Sequence, residues 1–284
     1  VTLVASLYDD RRCELGEGPL WHPERRQLFW FDILGRRLLS RVGDEPLEWR
    51  FDEYHSAAGW IDRDTLLIAS ETGLWRFGIE TGQRDLVVAL EADDPTTRSN
   101  DGRADPFGGF WIGTMGKKAE AGRGAIYRFY RGELRRLFSG VTIPNSICFS
   151  PDGTTAYFAD TRKGRIMRQP LGKDGWPVGA PVVFADPGAE GFHPDGSVVD
   201  GDGALWNAQW GAGRVVRYLP DGTVDHIVTV AGQQASCPAF GGADLQTLFV
   251  TSAYEGLSTP DPSQGCLFKV DTPLPGAKEP AVLC

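Results

Sequence analysis

The chain has 284 residues, 41% of them hydrophobic and 24% charged, with 36 Gly, 19 Pro and a formal net charge of -9. That balance describes a turn-rich globular protein and argues against duplex nucleic acid or an anionic membrane as partner, since both recruit clustered Lys and Arg. No stretch reaches the roughly 18 apolar residues of a membrane span, and Val1 to Asp10 lacks the basic-then-apolar pattern of a leader.

Taken in chain order, the first predicted strand is Thr2-Leu3-Val4-Ala5-Ser6-Leu7, which precedes any repeat and is free to pair elsewhere. A unit then recurs, in which a turn is followed within a few residues by a short apolar run. The turn Pro23-Glu24-Arg25 precedes Leu28-Phe29-Trp30, and Asp62-Arg63-Asp64 precedes Leu66-Leu67-Ile68. Asp105-Pro106-Phe107-Gly108 leads to Phe110-Trp111-Ile112, and Ser150-Pro151-Asp152-Gly153 to Ala156-Tyr157-Phe158. Asp200-Gly201-Asp202-Gly203 leads to Leu205-Trp206-Asn207, and Gly241-Gly242-Ala243-Asp244 to Leu248-Phe249-Val250. Gly supplies the positive φ and Asp the local hydrogen bonds that tight β-connections need.

The runs start 38, 44, 46, 49 and 43 residues apart, which is the length of a four-stranded propeller blade. Behind several runs comes another turn and an alternating strand, as in Gly35 to Leu39, Gly73 to Phe77, Gly124 to Phe129 and Gly213 to Tyr218. With no sustained helical periodicity, the predicted fold is all-β: one domain over 1–284, a six-bladed β-propeller of four-stranded antiparallel blades around a central channel. Two stacked β domains are disfavoured because no linker interrupts the repeat. The leading strand is expected to close the ring by pairing with Leu267-Phe268-Lys269-Val270.

The innermost strand of each blade lines the channel, so residues equivalent in the repeat converge there. Three of these strands begin with polar groups: Glu17 in Gly16-Glu17-Gly18-Pro19, Asn145 in Pro144-Asn145-Ser146, and Asp195 in Pro194-Asp195-Gly196. The segment Arg98-Ser99-Asn100-Asp101-Gly102 is more polar still. Taken singly, such pairs read as turns; recurring at equivalent positions, they read as a site. Two carboxylates and an amide oxygen form a hard donor set suited to one divalent ion, Ca²⁺, Mg²⁺ or Mn²⁺, with Zn²⁺ and Fe²⁺ also compatible.

The repeat with these motifs resembles the SMP-30/gluconolactonase/regucalcin-like family, and especially its bacterial sugar-lactonase branch. The motifs are Leu15 to Pro19, Arg98 to Gly102 running on to Gly113-Thr114-Met115, Pro144-Asn145 with Ser150 to Gly153, and Pro194-Asp195-Gly196. The resemblance implies that Glu17, Asn145 and Asp195 bind the metal while Arg98 and Asn100 hold substrate oxygens. It also implies a departure: some members carry a substrate-contacting carboxylate shortly after the Gly-Thr-Met motif, where this chain has Gly116-Lys117-Lys118. Lys118 is therefore a candidate substrate contact, and the lysine pair suits an oxidised or anionic sugar.

His193, two residues before Asp195, is a further candidate for substrate contact, against the reading of an ordinary hydrogen-bonded channel histidine. His22, His55 and His226 share no ligand spacing. Trp210 is a candidate pocket wall, and Cys148, inside an apolar strand, reads as core rather than nucleophile. Cys13, Cys148, Cys237, Cys266 and Cys284 are odd in number, widely spaced and without a C-x-x-C pair, as expected of reduced thiols in a cytoplasmic protein.

The expected activity is metal-dependent hydrolysis of a small sugar lactone to its aldonic acid. The ion polarises the carbonyl and lowers the pKa of a water, and Asp195 or a neighbouring group takes the proton. A Ca²⁺-binding regulatory propeller without turnover, a scaffold propeller and a metal-dependent esterase or organophosphate hydrolase are the rivals. Arg98-x-Asn100 speaks against a pure ion site, which has no need of polyol-binding groups. A monomer or weak homo-oligomer is expected.

Overall fold

A computed structural model describes residues 1–284. Its chain forms twenty-five strands and two single-turn 3₁₀ segments. The strands make six sheets, each read outward from the axis in chain order. Blade 1 comprises Gly16–His22, Gln27–Asp32, Arg37–Val42 and Glu45–Arg50; blade 2 comprises His55–Asp62, Thr65–Ser70, Gly73–Gly78 and Arg84–Ala89. Blade 3 comprises Thr97–Ala104, Phe110–Gly116, Gly124–Tyr130 and Glu133–Val141; blade 4 comprises Pro144–Phe149, Thr155–Asp160, Arg165–Pro170 and Val182–Ala185. Blades 5 and 6 begin with His193–Val199, Leu205–Trp210, Arg214–Tyr218 and Val224–Thr229, and with Gln234–Gly241, Thr247–Ala253 and Leu267–Asp271. The six-bladed propeller read from the repeat is the observed fold, and every predicted apolar run lies in the second strand of its blade.

The N-terminal segment closes the ring, with one correction. Ser6–Asp9 completes blade 6 antiparallel to Leu267–Asp271, pairing Ser6 with Lys269 and Leu7 with Phe268 as expected. Thr2–Val4 does not continue along that strand but runs parallel to Val224–Thr229 as a fifth strand of blade 5. Ala5 makes the crossing: its N–H donates to the Thr229 carbonyl at 2.9 Å, and its small side chain packs in the core between blades 5 and 6.

Hydrophobic burial is divided among six clusters, each lying between adjacent blades. Phe29, Phe31 and Leu38 of blade 1 meet Ala58, Leu66 and Ile68 of blade 2, and Trp111 and Ile126 of blade 3 meet Ile147, Phe149 and Phe158 of blade 4. Both faces of each inner sheet are thus covered, which explains the nearly continuous apolar runs of the second strands. Because the cores lie between the blades, the axis is left to polar groups. Cys148 belongs to the core between blades 4 and 5, and all five cysteines are free. No helix is long and apolar enough to cross a membrane.

Every inner strand carries a β-bulge near its start. In blade 1, Glu17 opposes Phe31 and Leu20 opposes Phe29, so three steps on one strand answer two on the other. The same offset separates Ser99 from Gly102, Asn145 from Cys148, Pro194 from Ser197 and Ala235 from Pro238, and blade 2 has it between His55 and Ala57. A bulge bends a strand and re-aims a side chain without ending the ladder. The polar-Gly pairs of the sequence are therefore bulges inside strands rather than turns between them. Gly18 takes φ 53°, and a side chain there would overlap the Ser56 carbonyl; a Cβ at Gly196 would meet Cys237.

The opposite end of the channel is crossed by the C-terminal tail. Gly201 N–H donates to Pro275 O, Val282 N–H to Trp60 O and Leu283 N–H to Gly108 O, each at 2.8 Å, so residues 275–283 strap blades 5, 2 and 3 together. Glu279 in this strap meets buried Arg103 at 2.8 Å.

Candidate active site in the central channel

The upper ends of the inner strands open into a cavity of about 570 Å³, within the size range of small-molecule sites. Glu17, Arg98, Asn100, Asn145, His193 and Asp195 all line it, joined by Lys118, so the structure brings together every candidate site residue read from the sequence. Trp210, Met115 and Ile143 supply apolar wall. His22, His55 and His226 lie elsewhere: His22 bonds the Asp62 carbonyl at 2.9 Å, His55 the Glu53 carbonyl at 3.2 Å, and His226 the Asp225 carboxylate at 2.6 Å.

On the floor, Glu17 and Asp195 are 5% and 4% exposed, yet neither takes part in an ion pair with Lys or Arg. Burial pushes the Glu17 carboxyl up to about 8, helped by the negative charge of Asp101 and opposed by the Gly18 N–H and by Arg98. Asp195 is raised well above the usual carboxylate range by burial first and then by the charge of Glu17. Asn145 lies between Thr161 of its own blade and Asn100 of the neighbouring one: its Nδ2 donates to Thr161 Oγ1 at 2.8 Å, and its Oδ1 accepts from Asn100 Nδ2 at 3.0 Å. One lone pair of that oxygen remains open.

This donor set fits a hard cation. Two buried carboxyls, both pushed up by burial and by neighbouring acidic groups, lack positive charge, and a divalent ion would supply it while using the remaining amide lone pair. The donors are two carboxylates and an amide, oxygen throughout, rather than a soft nitrogen or sulfur set.

Asn100 is more engaged than its sequence reading suggests. Its Oδ1 accepts from Arg98 Nη1 at 2.8 Å, and its Nδ2 donates to Pro144 O at 2.9 Å as well as to Asn145. Arg98, Asn100 and Asn145 form a relay across two blades that fixes the Asn145 oxygen toward the channel. Asp195 is held likewise by its backbone: its carbonyl accepts from Ser146 Oγ at 2.5 Å and from Asn207 Nδ2 at 3.1 Å. Ser146 adopts φ 59°, a strained conformation for a non-glycine residue, at the bulge that turns its hydroxyl toward blade 5.

Several rim residues escaped the sequence reading. Thr161, Arg162 and Glu255 line the cavity from the segments just after the second strands of blades 4 and 6. Lys117 and Lys118 occupy the same place after the second strand of blade 3. That equivalence was available from the repeat, because the turn after each apolar run always reaches the upper face. Lys117 is ion-paired to Glu71 and lies over the Tyr54 ring at 5.6 Å, whereas Lys118 is exposed and makes no ion pair.

Fold and pocket together define a class: a six-bladed β-propeller with a ligand-sized funnel on its axis, floored by buried acidic groups. Within that class the chain belongs to the SMP-30/Gluconolactonase/LRE-like family, whose characteristic region matches residues 15–254. It is 41% identical over 279 residues to a Rhizobium meliloti protein provisionally named a sugar lactone lactonase, covering 94% of this chain and 93% of that one. It is 38% identical over 283 residues to an L-arabinolactonase of Azospirillum brasilense, covering 94% and 92%. A crystal structure of the calcium-binding protein regucalcin from Agrobacterium tumefaciens superposes with a TM-score of 0.97 at 41% identity, over 100% of this chain and 99% of that one.

Proposed function

We propose that this protein is a divalent-metal-dependent lactonase that opens a sugar lactone to its aldonic acid. The observation that carries the reading is the pair of buried, unpaired carboxylates, Glu17 and Asp195, beside Asn145 at the floor of a cavity with polar walls. Family membership and the lactonase names of its relatives support it.

Glu17, Asn145 and Asp195 hold the ion, with Ca²⁺, Mg²⁺, Mn²⁺ or Zn²⁺ as candidates. When bound, the ion supplies Lewis acidity toward the lactone carbonyl and acidifies a water. In the hydrolytic step the water oxygen bonds the acyl carbon and the bond from that carbon to the ring oxygen breaks. Asp195 accepts the water's proton and returns it to the departing ring oxygen. Arg98, buried and without a carboxylate partner, directs its guanidinium toward substrate hydroxyls and orients the ring, with His193 at the side.

The discriminating experiment is an aldonolactone panel assayed by acid release at neutral pH, with chelator and with each metal restored. Chelation is expected to abolish hydrolysis while leaving the β-structure intact, since six interblade cores stand without the ion. Full activity in metal-free protein overturns the reading. The calcium-binding relative favours a second reading, an ion-binding protein without turnover; tight metal binding with no acid release from any lactone would establish that instead.

A further inference from the structure

The floor of the pocket is acidic, but its rim is not. Of the seven charged side chains that line the cavity, Arg98, Lys117, Lys118 and Arg162 are cationic and Glu17, Asp195 and Glu255 anionic. Glu71 neutralises Lys117, and Glu17 and Asp195 are the groups assigned above to the cation. That leaves Arg98, Lys118 and Arg162 facing the bound molecule against the single carboxylate of Glu255, in a protein whose net charge is -9. A neutral polyol needs hydrogen-bond donors and acceptors in mixture, not an excess of fixed positive charge.

The two rim cations stand on adjacent blades at equivalent places in the repeat. Lys118 follows Phe110–Gly116, and Arg162 follows Thr155–Asp160. Their neighbours are paired: Lys117 with Glu71, and Lys163 with Asp160 at 3.9 Å. Lys118 and Arg162 are exposed and take part in no ion pair. Arg162 sits in a single 3₁₀ turn, Thr161–Lys163, capped by Asp160 and ended by Gly164 at φ 69°. This short, capped turn holds the start of the Arg162 side chain at the mouth.

We infer that the substrate carries a second anionic group at the end remote from the reacting carbonyl, a carboxylate, sulfonate or phosphate ester, received between Lys118 and Arg162. The inference rests on the lactonase reading and narrows its substrate class from neutral to anionic lactones. With the floor carboxylates balanced by the ion, the unbalanced positive charge lies at the rim and orients such a molecule in one sense, with the lactone carbonyl at the floor and the free anion outward. They also draw it into the mouth against the negative charge of the whole protein.

The test uses hexonolactones of one ring stereochemistry that differ only at C6: a hydroxymethyl, a carboxylate, a sulfonate and a phosphate ester. At about 20 mM salt the anionic compounds should show kcat/KM about tenfold above the hydroxymethyl one, as two exposed ion pairs allow. Raising the salt to about 500 mM should shrink that advantage. The relative ranking of carboxylate, sulfonate and phosphate identifies the natural anion. In the double variant Lys118→Ala/Arg162→Ala the anionic-to-neutral ratio should fall to near one, and Lys118→Arg/Arg162→Lys should retain it. Equal or better turnover of the neutral lactone, or a ratio unchanged in the alanine variant, overturns the inference. A separate measurement keeps it distinct from the lactonase reading: calorimetric binding of the open-chain acids to the metal-loaded protein. If no lactone is turned over, the lactonase reading fails. The rim assignment then stands if the dicarboxylate binds about tenfold tighter than the monocarboxylate, and falls if the two bind alike.

Discussion

At the lower turn of blade 3, Asp105 and Arg128 meet at 2.6 Å with neither side chain accessible to solvent, whereas at the upper ends of blades 1 and 5 Glu17 and Asp195 are nearly as buried and have no cationic partner. The lower arrangement is repeated. Asp105 accepts from the N–H groups of Phe107 and Gly109 and from Arg128, and Asp200 of blade 5 accepts from Asp202, Ala204 and, at 2.7 Å, Arg217. Arg128 is further held between Tyr130 and Trp176, each 4.4 Å from its guanidinium. One folding unit thus buries ionisable groups at both of its ends but pairs opposite charges at only one. A buried carboxylate with a cationic partner and backbone N–H donors locks a turn in place; buried carboxyls without a cation, with their pKa driven upward, mark a candidate functional site.

The contrast can be broken most directly at the lower end. Arg128→Ala strands the Asp105 carboxylate in the core and should cost about 3–5 kcal/mol of stability, read by denaturant titration, with kcat per folded molecule unchanged. A loss below about 1 kcal/mol would mean that the lower pair is no more structural than a surface bridge.

At the upper end the outcome should invert. Asp195→Asn is expected to lower kcat by about 10² or more at saturating metal, because it removes the proton acceptor, while raising the stability of the metal-free protein by removing one of two mutually repelling carboxyls. Full turnover once enough metal is added would reduce Asp195 to a ligand and make His193 the first residue to test as base. Arg98→Ala should lower kcat/KM about tenfold or more with metal affinity retained to within a few-fold, checked by kinetics beside calorimetry. A metal affinity that falls with activity would assign Arg98 to the relay through Asn100 that positions Asn145.

The same comparison can be sharpened by pH. Glu17 has its folded-state pKa raised from 4.5 to about 8, so between those values the folded metal-free protein binds more protons than the unfolded chain. Its stability should therefore fall as pH rises through that window, by up to about 1.4 kcal/mol per pH unit for each such carboxyl. Melts in chelator from pH 5 to pH 8.5 should show the decline, and Glu17→Gln should flatten it. Metal affinity should rise over the same range, because binding displaces the proton. Stability of the metal-free protein that rises with pH would contradict the assigned burial of Glu17.

Much of this was legible along the chain. The spacing of apolar runs and the Asp and Gly turns before them fix blade number and strand order, because turn chemistry and β-alternation depend on near neighbours. Glu17, Asn145 and Asp195 stand out as polar groups where an inner strand would ordinarily be apolar, and Arg98 as the start of a segment more polar still. The same periodicity could have marked Arg162 and Glu255 on the rim, yet the segments after the second strands look like ordinary polar turns until they are seen to share one face. Thr2–Val4 was assigned to the wrong neighbour because a short alternating strand fits either of two adjacent edges, and only the crossing at Ala5 selects blade 5.

By itself, then, the sequence determined the ring, the inner strands and the polar residues at their upper ends, all of which follow from local pattern repeated six times. Tertiary structure alone decided which charges are paired and which are left open. Arg103 finds Glu279 at a sequence separation of 176, and Asn100 finds Asn145 at a separation of 45. Such partners meet only once separate blades have packed against one another or against the C-terminal strap, and no periodicity encodes them. A buried charge takes its free energy, and so its chemistry, from whatever stands within a few ångströms of it, which in a propeller is mostly set by other blades.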